Sequence, residues 1–241
     1  MRKCGGGIRI ARALSKGSLP MPHRRRIVPA HSILHIVNRG NDKKIIFPEP
    51  VDYASFVVLL REARERFGVR LIAYSLMPNH FHLVVRVDDL DAISSYMHFV
   101  QREHACDLRQ CYRSRGHGHI FQRRYWSKLV EGDGYLIAVI RYVEANALRS
   151  GLVAVAEQWE WSSLWDRVTG ERDLLDAPEL SLPAGWVTIV NTPLQRVDLE
   201  TIRRPLRRGR PASPEIYESR KNVAGSFIME GTATPSRRHD R

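Results

Sequence analysis

The sequence has few cysteines, no long hydrophobic run and no acidic residue in its first 26 positions. A membrane-spanning helix needs about 20 consecutive apolar residues, so we expect a soluble protein. Residues 1–26 are basic but lack the continuous apolar core of a signal peptide. The three cysteines among 241 residues are an odd number. Without an export signal, reduced thiols and a cytoplasmic location fit best.

Cysteine and histidine come together at one place in the chain, which raises the question of a zinc site. Cys106 and Cys111 lie near His104, His117 and His119. Zinc-binding motifs usually contain a second closely spaced pair of ligands, and the sequence has none here. Ordinary helical cysteines beside surface histidines explain the pattern better.

Acidic residues are in deficit along the whole chain, with 26 Asp and Glu against 38 Lys and Arg, a formal net charge of +12. This excess of positive charge favours an anionic partner, with nucleic acid ahead of a membrane surface. The composition predicts a basic arm at 1–26, a folded domain at 27–172 and a Pro/Arg-rich tail at 173–241. The tail contains "RGRP", which is similar to minor-groove-binding AT-hook segments.

Hydrophobic periodicity predicts alternating strands and helices. Asp133 is the expected N-cap of a helix from about Tyr135 to Arg149, which should stop at Gly151. A short strand is expected within the aromatic and basic segment from Ile120, and "WEWSSLWDRV" should close the core, with base stacking as the alternative. The remaining predicted elements are strands at Ser32–Gly40, Val69–Tyr74 and His80–Val87, a helix that ends before Gly68, and a helix from Leu90 to about Arg113.

The stretch "AYSLMPNHFHLVV" places two histidines inside an otherwise apolar strand. Alternate residues of a strand share a face, so His80 and His82 should point the same way. Backbone positions two apart are about 7 Å from each other, close enough for both rings to reach one metal ion. The alternative is a pair of half-exposed histidines on an edge strand.

A polar residue on the inner face of the last predicted helix adds to this pair. Tyr142 and Asn146 are spaced i and i+4, so they lie on one helix face. Two imidazoles and one amide oxygen leave octahedral positions open, which suits Mg²⁺ or Mn²⁺ acting on a phosphodiester.

Tyr142 is a candidate nucleophile for that phosphodiester, if its phenol is activated by the metal or by a cation such as Lys128, Arg124 or Arg141. A core tyrosine bonded to Asn146 is the structural alternative. Tyr135, two turns earlier on the same face, is the rival nucleophile.

The segments "MPNHFHLVV", "RYVEANALRSGLV" and "WEWSS" occur in an order that resembles the HUH single-tyrosine transposases, specifically the bacterial REP-associated tyrosine transposases. The resemblance covers about residues 27–168. It implies an α+β fold, in which helices pack on an antiparallel sheet of the HUH/ferredoxin-like palm type, with both histidines on a central strand. It also implies cleavage of single-stranded or hairpin DNA that leaves a 5′-phosphotyrosine and a free 3′-hydroxyl.

Carried over residue by residue, the resemblance makes Tyr142 the catalytic nucleophile and His80, His82 and Asn146 the metal ligands. The family usually has proline after the asparagine, where this chain has Ala147. The loss of proline could lengthen the helix or blur its end. A non-catalytic repeat-hairpin binder and an RNA-binding module stay open as alternatives, as does the choice between monomer and dimer. The expected DNA contacts are Arg39, Arg123, Arg124, Lys128, Arg207, Arg208 and Arg210.

Overall fold

The computed structural model describes residues 31–112, 118–178, 180–195 and 199–203. Four strands form one antiparallel sheet in the order β2-β3-β1-β4. The predicted arm at 1–26 and the tail arginines Arg207, Arg208 and Arg210 lie outside the described residues. In chain order the strands are β1 (Ser32–Arg39), β2 (Arg70–Met77), β3 (His80–Val87) and β4 (Trp126–Val130).

The helices lie on both faces of this sheet, which confirms the predicted α+β class. Short 3₁₀ turns occur at Asn41–Lys43 and Ala156–Gln158. None of the helices in the described ranges is long and apolar enough to cross a bilayer. The helices are α1 (Pro50–Phe67), α2 (Leu90–Cys111), α3 (Asp133–Glu144), α4 (Asn146–Arg149), α5 (Ser163–Thr169) and α6 (Trp186–Asn191).

Local signals explain where α1 begins and ends. The backbone N–H of Glu49 donates to the Asp52 carboxylate at 2.8 Å, and Pro50 occupies the first turn, where a missing N–H costs nothing. Gly68 ends the helix with a φ of 64°, a conformation that glycine adopts without strain. The predicted end of this helix is confirmed.

The side chains of β3 alternate between two hydrophobic clusters. Phe81, Leu83 and Val85 pack into the cluster formed with α1 and α2. Val84 packs on the opposite face, in the cluster that contains α3. Truncating a fully buried residue such as Phe81 to alanine should cost roughly 3–5 kcal/mol of folding free energy. The cores on both sides therefore hold β3 in register and decide which way its histidines point.

The helix predicted from Tyr135 to Arg149 is interrupted, which corrects the prediction of a continuous helix. α3 starts at Asp133 with Gly132 in the cap position, so Asp133 is a first-turn residue rather than the N-cap. The helix ends at Glu144, and Ala145, with φ −78° and ψ 5°, separates it from the single turn α4. The short strand expected within the segment from Ile120 is confirmed as β4, and a bridge between Gly40 and Phe121 lies before it in the same segment.

Residues beyond the predicted domain boundary at 172 also pack against the sheet. Trp186, Val190 and Ile202 join the cluster around α3.

The tryptophan-rich segment before that boundary packs on the other face of the sheet, where Trp159 and Trp161 lie against the α1–α2 cluster. The Trp159 indole N–H donates to the Leu76 carbonyl at 2.9 Å, so this segment closes the core as predicted.

Candidate active site

The two histidines of β3 project from the sheet face that α3 covers. Their ring centroids are 5.2 Å apart. His82 is buried and His80 is partly exposed. β3 is an interior strand, between β2 and β1. The prediction that both rings share one face of a central strand is confirmed, and the edge-strand alternative is wrong.

α3 brings Tyr142 against these rings. The Tyr142 side chain is 4% exposed, and its ring centroid lies 5.7 Å from that of His82, in an edge-on arrangement. Tyr135, two turns earlier, accepts a hydrogen bond from the ammonium of Lys128, which also lies 4.4 Å from the Tyr135 ring centroid. Of the two candidate tyrosines, Tyr142 is the one in ring contact with a histidine of β3.

Asn146, the first residue of α4, reaches the same place. Its amide nitrogen lies 3.3 Å from Nε2 of His80, and its amide oxygen accepts a hydrogen bond from Arg149 at 2.9 Å. The structure thus brings together the histidine pair, Tyr142 and Asn146. The amide oxygen faces Arg149 rather than His80, so its use as a metal ligand requires the amide to rotate.

Arg149 is a residue of this site that the sequence reasoning missed. Its guanidinium carbon lies 3.9 Å from the Tyr142 ring centroid, and Nη1 donates to the Tyr142 carbonyl at 2.7 Å. Burial lowers the pKa of Arg149 to about 10, which leaves it charged at neutral pH. The spacing of Arg149 from Asn146 and Tyr142, three and seven residues, puts all three on one helix face and could have revealed it.

His35 on β1 is the second missed residue. It is 0% exposed, and its Nε2 lies 2.9 Å from Nδ1 of His82. The Trp126 ring packs edge-on against it at 5.9 Å. Burial, with a contribution from the charge of Lys128, lowers the pKa of His35 to about 3. Nothing local in the sequence pairs His35 with His82, because they are 47 residues apart.

The two histidines of β3 are also held neutral. Burial lowers the pKa of His80 to about 4, with the charges of Arg39 and Arg149 acting in the same direction. Burial likewise lowers the pKa of His82 well below its usual value. A neutral imidazole has one nitrogen lone pair to offer, which metal ligation requires.

Hydrogen bonds fix which nitrogen of His80 carries that lone pair. Its Nδ1 lies 2.7 Å from Oδ1 of Asn79, whose amide nitrogen donates to the Lys43 carbonyl. Nδ1 is therefore the protonated nitrogen, and Nε2, on the side of Asn146, has the lone pair. Two imidazoles, and the Asn146 amide oxygen once the amide rotates, have the donor chemistry that suits a divalent metal ion.

The described ranges contain no group of three or more His, Cys, Asp and Glu side chains arranged for a metal. Asn146 is the candidate third ligand that the sequence predicted, and it lies beside His80. The zinc alternative gains no support from the positions of Cys106 and Cys111, whose side chains are exposed. His104 instead bonds the Ile46 carbonyl at 2.7 Å. His117 lies outside the described residues.

A buried carboxylate fixes the end of α3 beside Tyr142. Glu144 is 0% exposed, and its Oε1 accepts hydrogen bonds from Ser163 at 2.6 Å and from Arg167 at 2.9 Å. Its Oε2 accepts from the Trp186 indole at 2.6 Å. This network ties α3 to α5 and α6 and so holds the tyrosine helix against the sheet.

The described arginines that were predicted to contact DNA lie in two parts of the structure. Arg39 ends β1 directly opposite His80. Arg123 and Arg124 are exposed on the segment before β4, next to a groove beside α2. Lys128, the other predicted contact within the described ranges, is buried. We call the groove beside Arg123 and Arg124 the basic groove. The residues that line it are His98, Gln101, Arg102, Ala105, Arg109, His119, Ile120, Phe121, Gln122, Arg123 and Arg124.

Comparison with known proteins shows what this chain is similar to. The model of the family "Transposase IS200 like" matches residues 30–146, a range that contains the histidine pair, Tyr142 and Asn146. A REP-associated tyrosine transposase of Haemophilus influenzae is 25% identical over 122 residues, which cover 46% of this chain and 68% of the relative.

A solved structure is similar in fold. It is a REP-associated tyrosine transposase bound to a REP hairpin, with a TM-score of 0.50 and 15% sequence identity. The match covers 73% of this chain and 99% of the other. The chain is therefore similar to the IS200-like transposases over residues 30–146, and to a REP-associated tyrosine transposase in sequence and in fold.

Proposed function

We propose that this protein cuts and rejoins single-stranded DNA at hairpin-forming repeats, with Tyr142 as the nucleophile. In this proposal His80, His82 and Asn146 hold a divalent ion, Mg²⁺ or Mn²⁺. The proposal rests on the way these residues meet. The ring centroids of Tyr142 and His82 are 5.7 Å apart, and the amide nitrogen of Asn146 lies 3.3 Å from Nε2 of His80. These residues come from one strand, β3, and two helices distant from it in sequence, α3 and α4, and the family match spans all of them.

The proposed reaction conserves the energy of the phosphodiester. The Tyr142 hydroxyl oxygen bonds to phosphorus while the bond from phosphorus to the 3′ oxygen breaks. The phenol loses its proton and the 3′ oxygen gains one, which gives a 5′-phosphotyrosine and a free 3′-hydroxyl. Attack by another 3′-hydroxyl reverses these steps and rejoins DNA without ATP. A bound divalent ion would supply Lewis-acid polarisation of the phosphate.

Arg149 supports the nucleophile in this scheme. A phenol with an unperturbed pKa of about 10 must lose its proton as it attacks. The partly buried guanidinium lies 3.9 Å from the centre of the Tyr142 ring, where a positive charge stabilises developing phenolate. Its hydrogen bonds to the Tyr142 carbonyl and to Asn146 hold both residues relative to each other.

The basic groove is the proposed contact for the DNA backbone. The described residues that line it include three histidine or arginine side chains on α2 and three on the 118–124 segment, and none that is acidic. The backbone N–H of Gln122 donates to the Arg39 carbonyl, and Arg39 lies opposite His80. The groove therefore adjoins the end of the sheet that holds the histidines. A hairpin as substrate is supported by the similar transposase solved with a REP hairpin.

The test uses labelled single-stranded hairpin DNAs from repeats that flank the gene, with Mn²⁺ or with EDTA. A denaturing gel should show a protein–DNA adduct that needs the metal and disappears in Tyr142→Phe. Tyr135→Phe is the matched control, because it removes a phenol of the same helix that is bonded to Lys128 instead, and it should keep the adduct. DNA that is bound but never cut would favour the non-catalytic binder. Metal-independent preference for RNA hairpins would overturn the transposase proposal.

A further inference from the structure

A buried histidine outside the proposed ligand set contacts one of its members. His35 is 0% exposed, and its Nε2 lies within hydrogen-bond distance of Nδ1 of His82, at 2.9 Å. The two residues lie on neighbouring strands, where His82 is opposite Val37. Burying a polar ring without need lowers stability. An apolar residue could have filled this position, as Val84 does directly opposite on β3.

The hydrogen bond between the two rings can be arranged in two ways. A neutral imidazole has one N–H donor and one lone pair. If His35 donates, Nδ1 of His82 is the acceptor and Nε2 of His82 carries the proton. If His82 donates from Nδ1, its Nε2 has the lone pair. Only the second arrangement makes His82 a metal ligand, since Nδ1 is already occupied.

We propose that His35 is a positioning residue that accepts the Nδ1–H of His82 and so holds the Nε2 lone pair of His82 toward the metal ion. The inference rests on the proposed function, because it assumes that His82 binds a metal. Asn79 acts in the same way on His80, whose Nδ1 lies 2.7 Å from the Asn79 amide oxygen. Each histidine of the pair then has its own acceptor, one from the β2–β3 turn and one from β1.

The surroundings of His35 indicate an end point rather than a proton relay. Nδ1 of His35 is buried and has no hydrogen-bond partner among the described residues. The Trp126 and Tyr142 rings pack edge-on against the imidazole, at 5.9 Å and 6.2 Å. These contacts fix the plane of the ring, so its Nε2 stays directed at His82.

The test compares Mn²⁺ affinity, measured by calorimetry, in full-length variants. His35→Leu removes the acceptor and should raise the Mn²⁺ dissociation constant about 10–100-fold, the effect usual for loss of such a partner. His35→Gln should restore affinity to within a few-fold of the unmodified protein, because its amide oxygen can replace Nε2 as acceptor. His104→Leu is the control: it removes another buried histidine, one bonded to the Ile46 carbonyl, and should leave Mn²⁺ affinity unchanged.

Equal Mn²⁺ affinity in His35→Leu and the unmodified protein would overturn the positioning role. Absence of Mn²⁺ binding to the unmodified protein would instead overturn the metal site of the proposed function. A second measurement needs no variant: long-range ¹H–¹⁵N spectra of the Mg²⁺-saturated protein should show His82 protonated at Nδ1. Protonation at Nε2 under those conditions would also refute the inference.

Discussion

The guanidinium of Arg149 covers the ring of Tyr142, with 3.9 Å between the guanidinium carbon and the ring centroid. The same side chain donates to the Tyr142 carbonyl and to the Asn146 amide oxygen. One partly buried cation therefore links the proposed nucleophile to a proposed metal ligand. This link spans the break at Ala145 between α3 and α4.

Arg149→Ala should slow adduct formation about 100-fold, the usual effect of removing one preorganised charged donor. Arg149→Lys should recover only part of this loss, because lysine lacks the planar fork that serves two acceptors at once. The measurement is the single-turnover rate with hairpin DNA and Mn²⁺. Arg141→Ala is the control, since Arg141 is in α3 with Tyr142 but donates to the Thr192 carbonyl. An equal loss in both variants would contradict a specific role.

Glu144→Ala should lower the free energy of unfolding by about 3–5 kcal/mol, because it leaves the Arg167 charge and two buried donors without their acceptor. Urea unfolding followed by circular dichroism measures this. Glu157→Ala is a comparison variant, as its carboxylate accepts a partly buried bond from Asn191 and lies outside the network. A change below about 1 kcal/mol in Glu144→Ala would show that the network contributes little.

The free energy of unfolding should fall as the pH drops from about 6.5 to about 4. Burial lowers the pKa of His104 to about 4, against about 6.5 in the unfolded chain. Between these values the unfolded state binds the proton and the folded state does not. The folded state therefore loses stability as the pH falls, by at most about 1.4 kcal/mol per pH unit for one histidine.

Urea unfolding of the unmodified protein and His104→Gln at several pH values checks this dependence. The difference between the two proteins should shrink as the pH falls, because glutamine does not titrate. A constant difference from pH 7 to pH 4 would show that His104 does not contribute to the pH dependence.

Arg123→Ala and Arg124→Ala should each weaken hairpin binding and reduce its salt dependence by about one phosphate contact. Both side chains are exposed beside the basic groove. Fluorescence anisotropy at several salt concentrations gives the slope. Arg70→Ala is the matched control, since Arg70 pairs with Asp88 at the opposite end of the sheet from His80. The same slope for all three variants would place the DNA elsewhere.

Sequence reasoning performed well where the signal is local. The alternation of β3 and the spacing of Tyr142 and Asn146 follow from backbone geometry, so each shared face was predictable. The prediction of one continuous helix to Arg149 was wrong, because helical propensity persists through "EANALR" while the backbone breaks at Ala145. The sequence also did not predict which basic residues are exposed and which are buried. Lys128, a predicted DNA contact, is buried against Tyr135.

The sequence alone determined that the two histidines of β3 point together and that the tyrosine helix carries a polar stripe, since strand and helix periods are properties of the local chain. Only the tertiary structure decided that His35 meets His82 and that the face with both histidines is the one that α3 covers. Strand register and the side on which a helix packs depend on the burial of many residues at once. No short segment contains that information.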